Sequence, residues 1–304
     1  MRWSVVLSLI FIIFVVILLV LYWFVPLGTI NYGTSSPGHS NFSLNALDSQ
    51  SMQFYENMRY PNSEISYKID NCPLKKSDEM IQAFEAVSNN TPMTFYPVSG
   101  DEEISVTCDS KARVEGGLFI AGEGGPSNIT RSELFNVIHG GTILLIRESK
   151  CSSPNIGIHE LLHALGFDHS NNPDNVMYSI SKCSQTIGQD TVNLLNWLYS
   201  FPSQPDLTLE NVSATMRGAY LDLNMTIRNN GLKDSEEAIV FVYADSKLAK
   251  EVEIDVLKIG HGRMILLNNV FLLKRNVDKL EFFIDYEFEE LNKDNNEVTL
   301  EIKK

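Results

Sequence analysis

Apolar and polar positions divide this chain into three regimes. From Ser4 to Val25 nearly every position is apolar and none is charged. A run of about 22 such residues suits a helix long enough to cross a hydrocarbon core of roughly 30 Å. From about Tyr60 to Tyr199 two periodicities alternate. Residues 64–69, 93–98, 104–108, 118–121 and 142–146 read as short strands. Ser77 to Ser88 has helical spacing, with Met80, Ile81, Phe84 and Val87 on one side and Ser77 in the N-cap position. Ser153-Pro154 reads as an N-cap followed by proline at the first helical position, opening a helix that ends at Gly166. A last helix covers about Gly188 to Tyr199. From Leu207 onward only the two-residue period remains. Residues 207–212, 220–228, 238–244, 252–256, 264–273, 280–287 and 298–302 give seven strands separated by turn signals such as Asn229-Asn230-Gly231.

These regimes predict a membrane-spanning segment at 1–27, a flexible Ser/Asn/Gly-rich tether at 28–57 and an α+β domain at 58–200. A linker at 201–206 and an all-β, Ig-like sandwich at 207–304 complete the chain. Trp3 at one end of the first segment and Tyr22, Trp23 and Phe24 at the other sit where interfacial aromatics sit. The apolar run exceeds the 7–15 residues typical of a cleaved leader, and Val25-Pro26-Leu27-Gly28 is a poor cleavage site. It reads as an uncleaved anchor. Arg2 precedes it and no Lys or Arg follows until Arg59, which places the N-terminus in the cytoplasm and the rest of a single-pass cell-membrane protein outside.

Charge and cysteine usage sharpen the picture. The formal net charge is -14 and the acidity extends into residues 206–304, with 19 Asp and Glu against 13 Lys and Arg. A nucleic-acid partner, which needs a basic face, is excluded. The four cysteines, Cys72, Cys108, Cys151 and Cys183, all follow the span and form no CxxC pair. An even count in an extracytoplasmic setting predicts two disulfides. Three pairings are possible; 72–108 with 151–183 keeps each bridge within one part of the fold.

Three of the six histidines fall within eleven residues, in His159-Glu-Leu-Leu-His-Ala-Leu-Gly-Phe-Asp-His169. His159 and His163 are four apart on a helix and project from one face. Two imidazoles so placed can bind one Zn2+. Gly166 breaks the helix and turns the chain back, which brings in His169 as a third ligand. Three protein ligands leave a position for water, the mark of a catalytic rather than a structural zinc. Glu160 can reach that water as general base and then return the proton to the leaving amine. The five fixed positions of HExxHxxGxxH arise by accident in a chain of this length at roughly one in a hundred thousand.

His159 to Ser170 resembles the zinc motif of the metzincin metalloproteases, and Ser170 after the third His resembles the matrixin branch. Asn175-Val-Met-Tyr178 places Met177, followed directly by Tyr178, at the matrixin Met-turn distance. Residues 187–199 resemble the closing matrixin helix, with Asp190 in its buried-acid position. Tyr60 to Ile69 resembles the first matrixin strand and Thr91 to Phe95 the strand after the first helix. The resemblance covers about residues 58–200. It implies a twisted, mostly parallel sheet with three helices, and an endopeptidase acting on protein or peptide substrates. It also implies an edge strand at Gly117, Leu118, Phe119, Ile120 and Ala121 that pairs with the substrate. Residues 28–57 contain no cysteine, so latency through a Cys–zinc bond is not expected. Residues 206–304 resemble the CARDB family of extracellular modules in Pro205 to Leu209, Ile227 to Gly231 and Glu290 to Val298. That implies a surface protein or glycan partner for the sandwich. A rival reading makes the sandwich the working part of an adhesion protein with an inactive or structural zinc domain; the intact Glu160 argues against it.

Overall fold

The computed structural model describes residues 3–24, 28–35, 52–111, 113–115 and 118–302. Helix α1, Trp3–Phe24, is apolar on all sides, and of its residues from 3 to 22 all but Val6 and Val15, which are half-buried, are exposed. It is long and apolar enough to cross a membrane, as its composition predicts. The chain divides into two compact units.

The first unit runs from residue 43 to 205 and includes 230–233. Its strands are β2 (Met58–Arg59), β3 (Glu64–Asp70), β4 (Thr94–Pro97), β5 (Ile104–Cys108), β8 (Gly122–Arg131) and β9 (Asn136–Leu145). They form one sheet in the order β2-β9-β5-β3-β4, all parallel, with β8 antiparallel on the outer side of β9. Its three helices are α2 (Leu74–Asn90), α3 (Asn155–Ala164) and α4 (Gln189–Leu198). The α+β class and the mostly parallel sheet are as expected. Met80, Ala83, Phe84 and Val87 of α2 and Leu161, Leu162 and Ala164 of α3 share one core with Ile65, Ile104, Val106 and Ile143 of the sheet. Gly157 of α3 passes so close to α2 that an added Cβ would lie 2.9 Å from the Ala83 Cβ. Disulfides join Cys72 to Cys108 and Cys151 to Cys183, the pairing expected.

Three local expectations change. Helix α2 starts one turn early, with Pro73 rather than Ser77 at its N-cap; proline pre-sets φ for a helix start, and Ser77 lies inside the first turns. Pro154, not Ser153, occupies the cap of α3, and the Ser153 hydroxyl is buried without a partner. The predicted strand at Gly117–Ala121 is not the sheet edge. Leu118–Ile120 (β7) pairs with Arg113–Glu115 (β6) in a separate hairpin, and Gly117 lies outside the described residues. The Ala121 carbonyl accepts from the amides of Ile146 and Arg147, and the chain then enters β8.

The second unit contains the seven strands read from the tail: β10 (Leu207–Arg217), β11 (Tyr220–Asn229), β12 (Ala238–Ala244), β13 (Lys247–Ile254), β14 (Gly262–Phe271), β15 (Lys279–Asp285) and β16 (Glu297–Glu301). With a further strand, β1 (Thr29–Ser35), the sheets are β1-β10-β11-β14 and β13-β12-β15-β16, all neighbours antiparallel. Alternate residues, such as Leu221, Leu223, Met225 and Ile227 of β11, are buried between them. The eighth strand, β1 (Thr29–Ser35), corrects the tether expectation. Its composition is polar, but Ile30 and Tyr32 alternate inward, and a ladder to β10 needs only backbone groups. Tyr32 is buried and donates its hydroxyl to the Val277 carbonyl at 2.7 Å. Residues 36–51 of the same segment lie outside the described residues.

Candidate metal centre

Helix α3 carries Glu160 and His163 on buried positions and His159 on a half-buried one, then stops where Gly166 takes φ +95°. That left-handed conformation is open to glycine at no steric cost. An added Cβ at Gly166 would also lie 2.8 Å from the Met58 Cβ. The reversal delivers His169, and the ligand-capable atoms of His159, His163 and His169 all fall within 4.8 Å of one another.

Hydrogen bonds fix the imidazoles. His159 Nδ1 donates to the Val176 carbonyl at 2.7 Å and His163 Nδ1 to the Phe167 carbonyl at 2.8 Å. A carbonyl only accepts, so each Nδ1 carries the proton and each Nε2 presents a lone pair. The two Nε2 atoms face each other at 3.0 Å. Burial lowers the pKa of His159, and burial together with His159 lowers that of His163 to about 4. A proton between them is therefore disfavoured. Two acceptor lone pairs held in contact repel unless a cation lies between them, so the donor set fits zinc. The ring of Phe54 stacks on His163 with centroids 5.7 Å apart, and the backbone of residues 52–54 bonds to Gly166 and Asp168.

Glu160 is buried, and burial with Glu123 close by raises its carboxyl to about 8. Its position depends on two glycines of β8. An added Cβ at Gly122 would lie 2.8 Å from Glu160 Oε1, and one at Gly124 would lie 2.3 Å from the Glu160 backbone carbonyl. From the sequence, Gly122 was expected only as the end of the strand that begins at Gly117, and Gly124 was not singled out; the Gly122-Glu-Gly-Gly125 run was the available signal. Among the described strands none pairs with the outer side of β8.

Below the imidazoles lies a turn built on Asn175. Met177 is buried, the Ser170 amide donates to its carbonyl at 2.8 Å, and Asn175 Oδ1 accepts from its amide at 2.9 Å. Tyr178 is half-buried and pairs in a short bridge with Ser170. Asn175 Nδ2 donates to Asp190 Oδ1 at 3.3 Å, and that oxygen also accepts from the Thr191 amide at 2.8 Å. Asp190 thus ties the turn to the start of α4, but it is exposed and not the buried acid expected. It sits in the first helical turn, where solvent reaches it. His139 bonds Thr130 on the neighbouring strand at 3.0 Å, away from the metal group.

Residues 59–200 match the family model for matrixin and residues 204–300 the model for CARDB. The macrophage metalloelastase of Oryctolagus cuniculus is 28% identical over 163 residues, covering 46% of this chain and 33% of that protein. The interstitial collagenase B of Mus musculus is 27% identical over 245 residues, covering 75% of this chain and 52% of that protein. The chain therefore spans between a third and about half the length of these relatives. A crystal structure of the CARDB domain of the PF1109 protein from Pyrococcus furiosus, in complex with di-metal ions, aligns with 33% of this chain and 87% of its own. The identity is 19% and the TM-score 0.28.

Proposed function

We propose, from the premise that this chain carries a matrixin domain at residues 59–200 followed by a CARDB domain at residues 204–300, that it is a membrane-anchored zinc endopeptidase. Its substrates are extracytoplasmic proteins or peptides. The observation that carries this reading is the set of three imidazoles whose ligand-capable atoms lie within 4.8 Å of one another, with the Nε2 lone pairs of His159 and His163 facing each other, beside a buried glutamate. His159, His163 and His169 would hold the ion. Bound there, zinc would supply Lewis acidity to the scissile carbonyl and acidity to a water in the open position.

The chain's own residues do the rest. Glu160 takes the proton of the attacking water and passes it to the departing amine. The Val176 and Phe167 carbonyls keep the Nδ1 protons outward, so the imidazoles stay oriented. The unpaired side of β8 from Gly122 to Gly125, rather than Gly117 to Ala121, is where an extended peptide would add as a further strand across Glu160. Helix α1 anchors the enzyme, with Arg2 on the cytoplasmic side.

The test uses the full chain in lipid nanodiscs. Zinc content is measured with hydrolysis of a casein-type substrate, before and after chelation, beside Glu160→Ala. One zinc per chain is expected, with activity lost on chelation. The variant should keep its zinc and lose roughly 10²–10⁴-fold in kcat/KM. Hydrolysis that survives Glu160→Ala sinks the mechanism. One zinc with no hydrolysis by the wild-type chain favours the rival adhesion reading.

A further inference from the structure

The outer face of the β13-β12-β15-β16 sheet carries a pattern that the proposed catalysis does not use. The register puts Phe241 of β12 opposite Glu251 on one side and Phe283 on the other, and Phe283 opposite Glu297. One row across the sheet therefore reads Glu251–Phe241–Phe283–Glu297. The next row reads Glu253–Ile239–Asp285, and the row on the other side brings Tyr243 beside Glu281. An apolar spine of Ile239, Phe241, Tyr243 and Phe283 thus lies between two lines of carboxylates.

The spine is not core. Ile239 and Phe283 are each 36% exposed, while Val240, Val242, Phe282 and Ile284 on the opposite face are buried in the sandwich. The rings of Phe241 and Tyr243 lie 6.3 Å apart. A groove of about 300 Å³ opens beside them, lined in part by Tyr243, Glu281, Phe283, Glu297 and Thr299. Among the described residues, ion pairs within 4.0 Å reach only Glu281 of these acids, through Lys279. Glu251, Glu253, Asp285 and Glu297 are exposed. Exposed aromatic surface between uncompensated like charges is costly to keep without a use.

We propose that this face binds an extended Lys- and Arg-rich segment of a protein partner. Charge complementarity selects the occupant. Aliphatic stems of Lys and Arg can lie along the spine while their cationic heads reach the flanking carboxylates, and guanidinium groups can stack on Phe241 and Phe283. A second copy of this chain would bring like charges together at the same face, and an anionic glycan or lipid would be repelled. The binding does not depend on the metal centre.

The experiment uses the full chain in phosphatidylcholine nanodiscs, in a Glu160→Ala background so that the probe is not cut. The probe is a labelled peptide of about eight residues alternating Lys or Arg with Leu or Phe, matched to the length of β12. Its counterpart has Glu in place of each basic residue. Binding to the basic peptide alone is expected, weakening as salt rises from about 50 to about 300 mM. Glu251→Lys with Glu297→Lys should weaken it by about tenfold or more, and Phe283→Ser by several-fold. Glu287→Lys with Glu289→Lys, exposed beyond β15, serves as the charge-matched control and should change it by less than about threefold. Equal weakening by both double variants, equal binding of the acidic peptide, or no effect of Phe283→Ser would each overturn the proposal. So would self-association of the chain that the Glu251/Glu297 reversal abolishes.

Discussion

The two units are built on opposite uses of the backbone. In the sandwich, side chains decide position: every second residue of β11 is buried, and sheets pack through those residues. In the α+β unit, the decisive contacts at the site are made where side chains are missing. Gly122 and Gly124 let β8 lie directly on Glu160, Gly157 lets α3 lie on α2, and Gly166 turns the chain to His169. The first design tolerates change one residue at a time. The second admits none at the contact itself. Gly124→Val is the sharpest test of this contrast, because its Cβ would fall 2.3 Å from a backbone oxygen that no rotamer change can move. The expected loss is at least about 4 kcal/mol in the α+β unit, with zinc binding gone, while hydrogen exchange in the sandwich strands stays as it was. Gly122→Ala meets the movable side chain of Glu160 instead. It should keep the zinc and the fold and lower kcat by about 10²-fold through a displaced carboxylate. A Gly124→Val chain that still loads zinc and unfolds at the wild-type temperature would break the comparison.

The units also differ in covalent bracing. Both disulfides lie in the α+β unit. Cys151–Cys183 spans 32 residues, from the loop before α3 to the segment beyond the Met177 turn, and so encloses the entire metal motif. Replacing both cysteines by serine should cost about 3–4 kcal/mol in that unit through released loop entropy, read by denaturant unfolding. The sandwich transition should not move.

This contrast also explains what was legible in the sequence. Two-residue alternation announces itself, so all seven tail strands were found and five were read close to their observed limits; β10 runs on to Arg217 beyond the expected 212, and β13 begins at Lys247, ahead of the expected 252. The grouping of His159, His163 and His169 beside Glu160 was legible because helix periodicity and a glycine stop convert sequence spacing directly into geometry. Strand β8 was not legible: Gly-Glu-Gly-Gly-Pro has no apolar period, because its role is to bring backbone close to Glu160. Strand β1 was masked for a related reason. Its ladder to β10 is backbone, and two inward residues, Ile30 and Tyr32, are too few to outweigh a Ser/Asn/Gly composition. Asp190 was placed correctly next to α4, but its exposure follows from packing that spacing alone does not convey.

The sandwich has its own polar commitment, and pH exposes it. Glu290 is buried, accepting from the Leu207 amide at 2.9 Å and from Asn296 Nδ2 at 2.7 Å. Burial raises its carboxyl from 4.5 to about 7. The sign follows from proton binding. Between these values the folded state holds a proton that the unfolded chain releases, so the stabilisation is complete below about 4.5 and is lost as pH rises through about 7. The size is on the order of 3 kcal/mol, from about 1.4 kcal/mol for each tenfold change in proton affinity. Hydrogen exchange at the Leu207 amide should accelerate across that window, and Glu290→Gln should flatten the profile. A profile that keeps its slope in the variant assigns the titration elsewhere.

The smallest effect is expected at the sandwich's own close glycine. At Gly262 an added Cβ would lie 3.3 Å from Arg228 Cζ and 3.3 Å from the Ile227 carbonyl. One partner is the end of a long side chain held by Glu210 and by the Gly260 carbonyl, which can give by a few tenths of an ångström; the other, equally close, is a backbone oxygen that must shift by as little within the strand ladder. Alanine also removes backbone freedom from the unfolded chain, a gain of about 0.4–1 kcal/mol where the native conformation accepts it. The two terms oppose each other at similar size, so Gly262→Ala should leave sandwich stability within about 1 kcal/mol of the parent in a denaturant titration. Set beside Gly124→Val, this variant separates glycine as a convenience of strand geometry from glycine as the condition for a site. A loss at Gly262 as large as that at Gly124 would mean that the sandwich, too, depends on backbone contact, and the distinction between the two units would fail.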